Sequence, residues 1–124
     1  MASAGNFFET ERKAYDLRTK QFTTSSGVIT YTARVGGASD NFIVDRVIRV
    51  TTGSTFSLTI TVPDGKYYGQ RLLVIFEVEG GTETITTTTT TGDNGTSLTA
   101  AGGYNILMWH GSTLGWALIA SSAT

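Results

Sequence analysis

Residues 104 to 119, YNILMWHGSTLGWALI, constrain the fold most, because they hold two strands that are apolar on both sides. Tyr104, Ile106 and Met108 fall on one face of the first strand, and Asn105, Leu107 and Trp109 fall on the other. Trp116, Leu118 and Ala120 repeat the alternation after the Gly111-Ser112-Thr113-Leu114-Gly115 connection. A sheet with one wet face has no use for this pattern, so both faces need cover, from a second sheet or from another copy of the chain.

The rest of the body reads as further short strands. In Thr55 to Val62, Phe56, Leu58, Ile60 and Val62 alternate with Thr55, Ser57, Thr59 and Thr61, which puts four apolar side chains on one face. Pro63-Asp64-Gly65 ends that strand with turn chemistry, Gly65 being read as the residue that tolerates positive φ. Gln70 to Glu79 follows, with Leu72, Val74, Phe76 and Val78 opposite Arg71, Leu73, Ile75, Glu77 and Glu79. Val28 to Val35, with Ile29, Tyr31, Ala33 and Val35 inward, precedes Phe42 to Val50. Glu83 to Thr91, Ser97 to Ala100, Tyr104 to His110 and Gly115 to Ala120 complete about eight strands, separated by Gly, Asp and Asn breaks. With no helical period between them, they predict an all-β fold, an antiparallel β-sandwich of jelly-roll type.

Composition changes once, near residue 22. Residues 9 to 20, ETERKAYDLRTK, are densely charged, with Glu9/Lys13 and Asp16/Lys20 at helix-favourable spacing. The chain therefore divides into an N-terminal arm, 1–22, extended or short-helical, and a β-sandwich body, 23–124. At 124 residues one domain is expected. A formal charge of -1 argues against a nucleic-acid partner. No apolar run is long enough for a membrane span and the start lacks the pattern of a secretory leader, so a soluble, unprocessed protein is expected.

Catalytic sets are hard to assemble. The chain has no cysteine and one histidine, which excludes a Cys-His pair or a multi-histidine metal site within one copy. His110, before Gly111, reads as structural or exposed. Glu77 and Glu79 share a strand face about 7 Å apart, but a strand-end carboxylate pair reads as a solvated edge rather than as glycosidase machinery. The glycine-rich breaks lack the Lys-Ser/Thr ending of a phosphate loop. No catalytic residue, cofactor or metal is expected.

The run Thr86 to Thr91 puts hydroxyls and methyls on both sides of one strand, with no preferred inside. It reads as a solvent-wetted edge, or as a strand packed against its own copies around a symmetry axis. An ice-binding threonine array would need a flat repeated lattice, and no internal period is evident. Tyr67 and Tyr68 after the Pro63 turn, and Trp109 and Trp116 flanking the last hairpin, are candidates for an exposed stacking platform for a sugar ring or another protein; the tryptophans read rather as core or subunit interface, and for the tyrosines both readings stay open.

From Val62 to Ile119, the VPDG at 62 to 65, GQRLLVIF at 69 to 76, ETIT at 83 to 86 and the closing YNILMWHGSTLGWALI resemble a β-rich module of tailed-bacteriophage virion proteins. The likeness covers about half the chain. His110 stands where related modules often carry Asp. The resemblance implies a homotrimer of head decoration (cement) or fibre type, whose partners are itself and the major capsid protein, located on the virion surface after synthesis in the host cytoplasm. On this reading Thr86, Thr88, Thr90, Trp109 and Trp116 form the trimer interface. The arm contacts the capsid through Phe7, Phe8, Arg12, Tyr15 and Arg18. A fibre or baseplate module and a carbohydrate-binding module are the alternatives.

Overall fold

The computed structural model describes residues 19–23, 27–36, 44–51, 56–78 and 83–122. Eight strands are described: β1 (Thr19–Phe22), β2 (Gly27–Thr32), β3 (Val47–Thr51), β4 (Phe56–Val62), β5 (Arg71–Val78), β6 (Glu83–Thr89), β7 (Tyr104–Trp109) and β8 (Trp116–Ser122). A single helical turn, α1 (Gly111–Leu114), joins the last two. The fold is all-β and has two sheets, five strands in the order β1-β3-β5-β7-β8 and three in the order β2-β4-β6.

The antiparallel jelly-roll order expected from the turn residues is not what forms. β1 with β3, β3 with β5, β2 with β4 and β4 with β6 all pair in parallel, and only β5–β7 and β7–β8 are antiparallel. The reason lies in the links. Residues 23–26, 52–55 and 79–82, four each time, carry the chain from the five-stranded to the three-stranded sheet. From β1 to β6 the chain changes sheet after every strand and returns to each sheet in its original direction, so strands two apart become parallel neighbours; the longer segment 90–103 between β6 and β7 breaks the rule, and β7 pairs antiparallel with β5. Val47 therefore pairs with Leu73, 26 residues on, and Gly27 with Phe56, 29 residues on. Alternation within a strand shows which side is greasy but not which strand lies alongside, and so could not reveal this.

Two expected elements change. β1 lies inside the segment read as an arm, so the sheet already begins at Thr19. Ser97 to Ala100 contributes only a bridge from Leu98 to Ile85. Its neighbourhood does other work: Leu98 and Gly95 bond to the edge of β6, while Asp93 and Thr91 bond to Trp116 at the start of β8. One segment thus covers the edges of both sheets. At the opposite end, β1 and β2 are the terminal strands of their sheets. Lys20, on the inward side of β1 with its Nζ over the Phe22 and Tyr31 rings, is a charge that discourages further pairing there.

One core lies between the sheets. Ile48, Val50, Leu72, Val74, Phe76 and Leu107 from one side meet Leu58, Ile60, Val62 and Ile85 from the other, all fully buried. Each such side chain contributes roughly 1.5–3 kcal/mol relative to exposure. Buried Asn105 on β7 is satisfied by exchanging two bonds with the backbone of Thr96. The tryptophans close the C-terminal end, with ring centroids 5.5 Å apart, and Trp116 Nε1 donates to Pro63 O at 2.9 Å. Gly65 is needed beside them for space rather than for positive φ: a Cβ there would lie 2.5 Å from the Trp109 ring.

Candidate functional site

Directly paired residues in a sheet point the same way, so the registers assign every outward face. On the five-stranded sheet, Val47, Leu73, Ile106 and Ala120 form one outward row, and Ile75 with Tyr104, and Met108 with Ala117, form its flanks. All are half-buried rather than buried. The hairpin and β5 are therefore apolar on both sides. The second sheet covers one side of them. Arg49 and Glu77 meet on the uncovered side through two bonds of 2.6 and 2.9 Å, and the guanidinium holds the Glu77 carboxyl below the usual carboxylate range. Such a group stays ionised and cannot serve as a general acid near neutrality. Glu79 lies outside the described residues.

The three-stranded sheet turns a different surface outward. Its rows are Val28, Ser57 and Thr84; then Thr30, Thr59 and Thr86; then Thr32, Thr61 and Thr88. Eight of these nine positions carry a hydroxyl and none carries a charge. A repeated array of outward hydroxyls, for which no internal period was evident, is built by the parallel register at strand spacings of about 4.8 Å. Its sequence signal is an apolar-Thr-x-Thr repeat at residues 29–32, 58–61 and 85–88. That signal was missed because variable links hide the period.

The threonine run itself has an inside after all. Ile85 and Thr87 are fully buried, while Thr86 and Thr90 are exposed and Thr88 is half-buried. Trp109 and Trp116, read as core or subunit interface and placed at the trimer interface by the resemblance, are 4% and 1% exposed: they lie in the protomer's own core and have little surface to offer a partner. Phe7, Phe8, Arg12, Tyr15 and Arg18 lie outside the described residues.

A buried charge cluster joins β2 to the loop before β3. Asp45, 1% exposed, accepts from Tyr31 Oη at 2.6 Å, from Arg34 N at 2.8 Å and from the Arg34 guanidinium at 2.6 and 3.1 Å. Burial, reinforced by the Asp45 carboxylate, pushes the Tyr31 hydroxyl up to about 12. With all its bonds satisfied, the cluster fixes the loop and leaves no group free for chemistry.

Tyr67 and Tyr68 stand in water, 64% and 76% exposed. His110 meets the Tyr68 ring edge-on at 5.5 Å, and its Nδ1 lies 3.0 Å from Met108 O. No group of three or more His, Asp or Glu suited to a metal ion occurs among the described residues, and no described helix is long and apolar enough to cross a membrane. No protein-family model matches the chain, and no curated protein matches it.

Proposed function

We propose that the chain is a structural virion protein, a bacteriophage capsid decoration protein that binds the outer surface of the major capsid shell as a homotrimer and stabilises it. The observation that carries the assembly is the outward face of the five-stranded sheet. Val47, Leu73, Ile75, Tyr104, Ile106 and Met108 are half-buried apolar neighbours on the outward side of β3, β5 and β7, bordered by Arg49, Glu77 and Arg71, and an apolar patch rimmed by polar groups is of the kind that marks an interaction site. The trimer contact therefore rests on this face, and Trp109 and Trp116 support it from within. The resemblance of residues 62 to 119 to phage virion modules supplies the partner. Several shell contacts made at once raise avidity through effective concentration and hold the shell without any reaction.

The test is sedimentation of the purified chain, alone and with emptied phage heads. A mass of three copies that pellets with the shells is expected. A single copy that stays in the supernatant overturns the reading. The arm is tested by removing residues 1–18, because a deletion through 22 would also take β1 out of its sheet. Shell binding should fall while the trimer persists.

A further inference from the structure

Tyr67 and Tyr68 have no part in the core, and the fold nevertheless holds them in fixed positions. The other described aromatic side chains, Phe22, Tyr31, Phe76, Tyr104, Trp109 and Trp116, are buried or half-buried. The loop between β4 and β5 is pinned from three directions. The Gln70 side chain accepts from Lys66 N at 2.8 Å and Tyr67 N at 3.4 Å, and it donates to Val35 O at 2.9 Å. Gly69 N donates to Trp109 O, and Gln70 N donates back to Tyr67 O. A backbone held this way presents its side chains at little entropic cost to binding.

Polar groups flank the two rings. Lys66 Nζ stands over one face of the Tyr67 ring, 5.8 Å from its centroid, so a sugar would stack on the opposite face or displace it. A carbonyl oxygen can only accept, so His110 Nδ1 carries the proton donated to Met108 O, and in the neutral ring Nε2 is left as an acceptor beside Tyr68. Flat aromatic faces with a nearby cation and acceptor suit a molecule with apolar C–H faces and a rim of hydroxyls. We infer that Tyr67, Tyr68, Lys66 and His110 form a carbohydrate-binding site for one or two sugar rings, in addition to the assembly role. A protein partner is disfavoured by size, because two side chains at a loop offer far less than the roughly 800 Å² per side of a stable interface. A polyanion is disfavoured by the chain's charge of -1.

The experiment is an amide NMR titration of the full chain with cellohexaose, maltohexaose, mannohexaose and the hexamer of N-acetylglucosamine, each to about 10 mM, since an exposed site of this size binds in the weak range. At least one sugar is expected to shift amides 66–70 and 110–111 selectively. Tyr68→Ala should weaken it about tenfold or more with the unfolding midpoint unchanged, and Tyr67→Ala should weaken it less. Undisturbed amides with all four sugars overturn the proposal, as do shifts that persist in the double variant. If the double variant instead loses shell co-sedimentation while no sugar binds, the tyrosines are a protein contact and the carbohydrate reading fails. Sedimentation mass is read separately, so failure of the trimer leaves this result intact.

Discussion

The two sheets share a core and differ on their outward sides: the five-stranded sheet turns out Leu73, Ile75, Ile106 and Met108, the three-stranded one an uncharged field of hydroxyls. Hydration separates them. A threonine lattice keeps β-propensity while its hydroxyls bond water, so it stays soluble without a cover. An aliphatic face gains only by leaving water. The assembly surface should therefore be the aliphatic one, and a charge placed on each face decides it. Ile106→Lys should weaken self-association by on the order of a hundredfold, the consequence of about 3 kcal/mol for an unpaired charge in an interface. Thr59→Lys should leave the sedimentation mass unchanged. The reverse outcome would move the interface to the hydroxyl face.

Much of this was legible in the residues. The inward sets of β2, β4 and β5 follow from alternation, except that Val78 at the end of β5 is exposed and the Phe56 side chain lies outside the description, and the two-sided hairpin was visible in its aromatic and aliphatic spacing. Parallel pairing was not visible, because a strand with one apolar face is compatible with neighbours in either direction. The evidence for it was the Thr-x-Thr repeat, whose outward threonines recur in β2, β4 and β6 while the residue between them changes from Tyr31 to Ile60 to Thr87. The platform at Tyr67 and Tyr68 was readable as a turn with aromatics, but the Gln70 clamp that makes it rigid depends on contacts with Val35 and Trp109, distant in sequence.

Inside and outside differ along β2 as well. Thr30 and Thr32 face water, whereas Tyr31 packs edge-on against Phe22 and reaches Asp45. The Tyr31 hydroxyl titrates near 12 in the folded chain against 10 when free, so the unfolded chain loses this proton first as pH rises. Stability from this group is complete below pH 10 and declines between about pH 10 and 12. Partial exposure keeps the slope under the about 1.4 kcal/mol per pH unit of a fully coupled group. Urea midpoints measured across that window should fall in the native sequence and fall less in Tyr31→Phe. Equal declines would show that the hydroxyl is not held by Asp45.

The smallest effect is also the sharpest comparison of the two sides of β6. Thr87 points into the core, fully buried, and its Oγ1 has no hydrogen-bond partner among the described residues, whereas Thr88 on the outward side donates weakly to Ile60 O at 3.4 Å. An unpaired buried hydroxyl costs on the order of 1–3 kcal/mol, and valine has the same shape without it. Thr87→Val should therefore stabilise the chain by about 1 kcal/mol, raising the urea midpoint with the slope unchanged. Thr86→Val, one residue away and facing water, should change it by no more than about 0.5 kcal/mol. A loss of stability in Thr87→Val would mean that the hydroxyl is bonded in solution, and β6 would then need its polar group on the inner face as much as on the outer one.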